Sequence, residues 1–184
     1  MFQVRIHGRG GQGVVTAAEL LSVAAFKQGR HAQAFPSFGS ERTGAPVVAF
    51  CRIDDRPIRI REPILAPDAL IVQDPTLLHQ VDLFAGLQPG GRVLLNSTRP
   101  ADRLGLGELE ATVITVPASE IAREHLGRPL PNAALLGALA AVTELVTLDS
   151  VAAAIRERFS PALAEANVAA AAAAHALVLE PVDA

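Results

Sequence analysis

The stretch "IHGRGGQGVV", Ile6 to Val15, places Gly8, Gly10, Gly11 and Gly13 within six residues. Ahead of it Phe2, Val4 and Ile6 alternate with Gln3, Arg5 and His7, the period-two pattern of a strand. Behind it Val14, Ala17, Ala18, Leu21, Ala24 and Ala25 recur at helical spacing until Gly29 stops the run. A strand turning through glycines into a helix is the first half of a β-α-β unit.

Working outward from that unit, Arg30–Phe35 reads as a second strand and "PSFGSERTGAP", Pro36–Pro46, as a loop. Val47–Ile53 and Pro57–Arg61 read as a hairpin around Asp54, Asp55 and Arg56. "DALIVQDP" is a strand ending at Asp74–Pro75, and Thr76–Gly86 suits a helix. Two more strands end at Asn96–Ser97 and in "ATVITVP", with a short helix after Pro117. From Asn132 the chain reads as helix: a run N-capped by Asn132, then Leu148–Phe159 and Pro161–Leu179. The expected fold class is α/β: a Rossmann-like open, mostly parallel sheet, helices on both faces, an antiparallel hairpin and a helical C-terminal part. Residues 1–184 form a single domain, with 1–125 the sheet region and 126–184 mainly helical, packed on the sheet or on partner subunits. Ligands on such sheets sit beyond the carboxyl ends of the strands. The loops expected there are Gly8–Gly13, Pro36–Pro46, Asp74–Thr76, Asn96–Thr98 and Pro117–Ser119.

Composition narrows the function. A net charge of −3 gives no basis for binding nucleic acid. Arg5 and His7 interrupt the first apolar run, so no signal pattern is expected, and the chain reads as cytoplasmic without a membrane span. Cys51 is the only cysteine, so an iron–sulfur cluster cannot be held by this chain alone. It lies in a strand alternation with Ala49 and Ile53 and reads as core. Arg52, Arg59 and Arg61 share the hairpin's other face and read as a solvated or docking face. His7, His31, His79, His125 and His175 are scattered, without metal-ligand spacing.

Gly8, Gly10 and Gly13 satisfy G-x-G-x-x-G. Such a turn allows close backbone approach, and the helix behind it offers free N–H groups to phosphate or carboxylate. Arg9 would add charge-assisted hydrogen bonds. A dinucleotide site also needs an acid about 20 residues on to hold the ribose. That region reads "GRHAQAF", and the first acid after Glu19 is Glu41, in the long loop. NAD(P) binding by a free-standing oxidoreductase therefore stays an alternative that would depend on Arg30. A turn that only packs strand on helix is another. In the second loop Phe35 and Phe38 call for burial, in this core or in a partner's pocket.

"GRGGQGVVTAAELL", "FPSFGSERTGAPVVAF", "RIDDRPI", "DPTLL" and "NAALLGALAA" together resemble the gamma subunit of 2-oxoacid:acceptor oxidoreductases of the pyruvate:ferredoxin and phenylglyoxylate type, over roughly residues 2 to 145. Thr43 departs from the family's more usual arginine. The resemblance implies a non-catalytic subunit of a complex that turns a 2-oxoacid and coenzyme A into acyl-CoA and carbon dioxide. Thiamine diphosphate, magnesium and iron–sulfur clusters would lie in partner subunits of alpha, beta and delta type. Electrons would pass to ferredoxin or to a NAD-reducing subunit. It also implies part of a shared coenzyme A site, on Gly8, Arg9, Gly10, Gly11, Gln12, Gly13, Gly39, Ser40, Glu41 and Arg42. Arg9 and Arg42 would hold phosphates, Ser40 would add a hydrogen bond, and Glu41 would orient Arg42 or meet a partner. No residue is expected to be catalytic, and a purely structural subunit is the remaining alternative.

Overall fold

The computed structural model of the protein describes residues 1–37 and 43–180. Six strands form one sheet: β1 (Phe2–Arg9), β2 (His31–Pro36), β3 (Pro46–Asp54), β4 (Ala69–Val72), β5 (Gly91–Asn96) and β6 (Ala111–Val116). Five helices follow or interrupt them: α1 (Val14–Lys27), α2 (Ala118–Leu126), α3 (Asn132–Thr143), α4 (Leu148–Arg158) and α5 (Pro161–Leu179). The strand order is β2-β3-β1-β4-β5-β6, with β1, β4, β5 and β6 parallel and β3 antiparallel to both of its neighbours. The α/β class and the mostly parallel sheet are as the sequence patterns imply.

Three elements differ. Strand β3 pairs with β1 on one side and β2 on the other, so Phe50 faces Arg5 and Phe35. With both of its edges taken, β3 leaves no edge for Pro57–Arg61, which forms no strand. The segment Thr76–Gly86 is a 3-10 turn, Pro75–His79, followed by irregular turns and not a helix. Gly86, at the far end of that segment, has φ +74°, and a Cβ there would strike the backbone carbonyl of Leu65. Asn132 lies in the first turn of α3, behind Pro131, and caps nothing.

The helices cover one face only. Val4 and Ile6 of β1, Ala49, Cys51 and Ile53 of β3, Ala69 and Ile71 of β4, and Leu94 of β5 meet α1, α3, α4 and α5 in one core. Right-handed crossovers put α1 on one side of β1 and send the β4–β5 and β5–β6 connections to the other face. Those connections are short 3-10 turns and loops over a small cluster of Val72, Leu77, Leu83 and Leu95. Helix α5 is long and apolar enough by composition to cross a membrane. One side of it is nevertheless packed on the core through Ala164, Ala170, Ala171 and Ala174, and Gly137 lets α3 approach the Ala171 backbone.

On the helix-free face, arginines take the place of apolar residues. Arg52 is 2% exposed, not solvated. It donates to Gln3 Oε1, to Gln33 Oε1 and to the Glu62 carbonyl, and its guanidinium lies 5.3 Å from the Phe35 ring centre. Phe35 in turn packs on Phe50, with ring centres 5.1 Å apart, so it is filled from within this chain. Arg5 donates to His7 Nε2 at 3.0 Å and to the carbonyls of Leu83 and Ala85 at 2.9 and 2.8 Å. Burial, and then the Arg5 charge, push the His7 imidazole down to about 4. Nε2 accepts the Arg5 proton, as a neutral ring must.

A group depressed on folding binds its proton more readily in the unfolded chain. Stability contributed by neutral His7 is therefore complete above about 6.5 and drains away as pH falls towards about 4. The expected loss over that window is of the order of 3 kcal/mol. Urea unfolding at a series of pH values should show this slope, and His7→Gln should flatten it.

Candidate functional site

The carboxyl ends of β1, β2, β4, β5 and β6 share one edge of the sheet, and all five glycine- and hydroxyl-bearing loops emerge there. The glycine turn is built by packing. A Cβ on Gly8 would lie 2.5 Å from Val14 Cγ2, 3.0 Å from Gln12 Oε1 and 3.2 Å from Gln73 Cβ, so only glycine lets β1 turn this tightly into α1. Gly13 is the N-cap of α1 at φ 72°, ψ 34°, a left-handed conformation. A Cβ on Gly13 would lie 2.6 Å from Asn132 Nδ2. Among the described residues no side chain caps α1, and its first-turn N–H groups, as in any helix, lack intrahelical partners.

Gln12 and Arg9 fix the turn. Gln12 Oε1 accepts from the Arg9 amide at 2.7 Å, and Gln12 Nε2 donates to Asp74 Oδ2 at 2.9 Å. Arg9 donates through Nε to Asp74, through Nη1 to the Gly44 carbonyl at 3.0 Å, and through Nη2 to Thr76 Oγ1 at 2.7 Å and Gln80 Oε1 at 3.0 Å. Four of its five N–H donors are thus engaged, and one on Nη1 is left among the described residues. Partial burial pushes the Asp74 carboxyl up, but hydrogen bonds from Thr76 and Gln12 and the Arg9 charge outweigh it and hold it below the usual carboxylate range. Gly10 bridges in parallel to Thr43, receiving Gly44 N–H at 3.1 Å and donating to the Ala45 carbonyl at 2.9 Å. The first glycine loop and the downstream end of the second are therefore one structure. Gly39, Ser40, Glu41 and Arg42 lie outside the described residues.

Beside the turn is a cleft of about 140 Å³. Gly13 and Thr16 form one wall, Arg128 and Asn132 a second, and Phe159 and Asn167 a third. Asn132 and Asn167 are 6% and 3% exposed. Reading the sequence missed Thr16, Arg128 and Asn167, and took Asn132 for a cap. The available signal was a lone amide in each of two long apolar helical runs, "NAALLGALAA" and "AEANVAAAA". Gln73, at the end of β4 next to Gly8, is 1% exposed, and neither side-chain polar atom has a partner among the described residues.

The dinucleotide alternative loses its geometry. Strand β3 occupies the place beside β1 where that site expects the second strand. The strand after α1 is the sheet edge and ends on Pro36, without a ribose-holding acid. Cys51 is fully buried, and burial pushes its thiol up, so it is no thiolate ligand or nucleophile. Among the described residues no group of three or more His, Cys, Asp or Glu is placed to hold a metal.

The site therefore defines an α/β chain with a glycine-turn crevice and, among the described residues, no acid–base or metal set within it. The pattern of the pyruvate ferredoxin/flavodoxin oxidoreductase family matches residues 3–177. The chain is 52% identical over 173 residues to the pyruvate/ketoisovalerate oxidoreductases common subunit gamma of Thermococcus kodakarensis, covering 93% of this chain and 94% of that protein. It is 50% identical over 156 residues to the pyruvate synthase subunit PorC of Methanosarcina barkeri, covering 85% of each. The crystal structure of the pyruvate oxidoreductase subunit PORC of Thermotoga maritima superposes with a TM-score of 0.84 at 34% identity, over 95% of each chain. The chain belongs to the pyruvate ferredoxin/flavodoxin oxidoreductase family, as a gamma-type subunit of a 2-oxoacid:ferredoxin oxidoreductase complex.

Proposed function

We propose that this chain completes a cytoplasmic complex that oxidises pyruvate or a branched-chain 2-oxoacid with coenzyme A, and that its glycine-turn edge forms part of the coenzyme A site. Alpha-, beta- and delta-type partners hold thiamine diphosphate, magnesium and the iron–sulfur clusters, and ferredoxin takes the electrons. Thiamine diphosphate supplies the electron sink for decarboxylation in those partners. The substrate range rests on the likeness to a pyruvate/ketoisovalerate subunit.

The observation that carries the coenzyme A reading is the N-terminus of α1, without a side-chain cap among the described residues, beside the glycine turn at the strand ends where such sheets bind ligands. Gly10, Gly11 and Gly13 keep side chains away from it. Gln12 and Arg9 hold its shape, and Arg9 retains one donor for a phosphate. Gly39, Ser40, Glu41 and Arg42 are proposed to contribute to the same coenzyme A site. Among the described residues, those at the turn suit a phosphate-bearing ligand, since they offer amide donors, arginine and no acid except the already bonded Asp74. The cofactor-free alternative, a purely structural subunit, predicts that these residues do not affect coenzyme A use.

Arg9→Ala and Arg42→Ala complexes, checked for full assembly, separate the two. The expected result is a KM for coenzyme A raised about tenfold, the loss of roughly one charge-assisted hydrogen bond, with the KM for the 2-oxoacid unchanged. Unchanged coenzyme A kinetics in both assembled variants would end the coenzyme A reading.

A further inference from the structure

On the helix-free face of the sheet, residues 57–67 form a strap that joins no strand. Three side chains of β1 and β3 hold it by alternate carbonyls. Arg52 donates to Glu62 at 2.6 Å, Arg5 to Ile64 at 3.4 Å and Gln3 to Ala66 at 3.2 Å. Arg5 also holds the Leu83 and Ala85 carbonyls, so residues 81–86 lie alongside. Pro57, Pro63 and Pro67 stiffen the strap further by fixing φ. Within it only Ile64 and Pro67 are buried. Leu65 is 78% exposed, the most of any large hydrophobic among the described residues, and Ile60 and Val81 are exposed as well. Arg56, Arg59 and Arg61 are exposed, and none is in a salt bridge among the described residues. The acids just before them are already engaged, Asp54 by the N-terminal ammonium at 3.2 Å and Asp55 by Arg30 at 2.9 Å. Three arginines therefore stand against Glu62 and Asp82 here, on a chain whose net charge is −3.

We propose that this strap, with Val81 beside it, seats a partner subunit of the complex, and that the partner meets it with an apolar hollow rimmed by carboxylates. Leu65 enters the hollow, Ile60 and Val81 flank it, and Arg59 and Arg61 pair with the rim. The charge sets the partner's chemistry, because planar guanidinium forks take carboxylates bidentately. The apolar content sets the kind of partner: permanent interfaces are more apolar than transient ones, which favours a resident subunit over a passing electron carrier. The pinned backbone sets the cost, since a strap already held in place loses little freedom on docking. The inference rests on the chain being one subunit of a complex and not on the coenzyme A site. The strap's posts on β1, Gln3 and Arg5, stand at the start and middle of that strand, away from the glycine turn.

The test is reconstitution of the complex from the full chain and its partner subunits, with Leu65→Asp and the double variant Arg59→Glu/Arg61→Glu. All three residues are exposed, so both variants should fold, with a Tm within about 2 °C of wild type. Leu65→Asp should weaken assembly about thirtyfold or more, as loss of a buried interface anchor does. The charge reversal should weaken it about tenfold at low salt, and the gap should narrow as salt rises. Amide exchange in residues 57–66 and 81–86 should slow when the wild-type chain enters the complex. Wild-type assembly affinity in both folded variants overturns the proposal. So does normal assembly with a raised KM for ferredoxin, which would make the strap a landing site for the electron carrier. Loss of self-association with the complex intact also overturns it, since the strap would then join two copies of this chain. A wild-type chain that joins no partner would take down the subunit reading itself, a result distinct from a complex that forms without the strap.

Discussion

Replacing Arg5 with methionine should lower stability by about 3–5 kcal/mol, the range for breaking a buried charged group away from its partners. Arg5 is 8% exposed, and the segments it ties down have no helix of their own. Its Nη2 holds the carbonyls of Leu83 and Ala85, its Nη1 reaches the Ile64 carbonyl, and its Nε fixes His7. Methionine fills similar volume but donates nothing, so three carbonyls lose their partner together. At this chain length a loss of that size corresponds to a fall in Tm of roughly 10 °C. The fall should be local in origin. Hydrogen exchange should rise first in residues 64–66 and 83–86 and leave α1 and α3 protected. A Tm within about 2 °C of wild type would mean that the loops are held by something other than Arg5.

Gly137→Ala tests the opposite face. Alanine is the better helix former by about 1 kcal/mol, so in an isolated helix the change would stabilise. In this fold the new Cβ would collide with the Ala171 carbonyl oxygen and lie 2.6 and 2.7 Å from the Ala171 carbonyl carbon and Cα. Those are backbone atoms and cannot rotate away, so α3 and α5 must separate. The expected net cost is about 2–3 kcal/mol, at the upper part of the range for overpacking. A Gly137→Ala protein as stable as wild type would show that α3 and α5 are not in close contact.

Much of this was legible from short stretches. "IHGRGGQGVV" gives strand, turn and helix because a period-two run, a glycine cluster and a period-3.6 run follow one another without ambiguity. The three C-terminal helices are equally clear. The misreadings have one physical source, which is that pairing and coverage are decided far along the chain. "PIRIR" alternates as a strand does, yet β3 already has β1 and β2 on its two edges. "TLLHQVDLFAG" has enough apolar residues for a helix, yet it forms only a 3-10 turn over Pro75–His79 that puts Leu77 and Leu83 into a small cluster with Val72 and Leu95. Alternation sets Arg52 opposite Cys51 and suggests a solvated face, but partners at Gln3, Gln33 and Glu62, from three separate segments, bury it. The glycine turn was found as a motif, whereas the cleft beside it needed α3 and α5 brought to α1. Two buried amides in apolar helices were the only local trace of it.

The account stands on this chain being one subunit of a larger enzyme. The most direct measurement is the native mass, iron content and thiamine content of the material that carries this chain when gently purified from its source cells. The account predicts a large, iron- and thiamine-containing assembly that loses 2-oxoacid:ferredoxin activity when this chain is stripped away. A small colourless monomer or dimer that binds NAD(P) would contradict it and return the glycine turn to the dinucleotide reading.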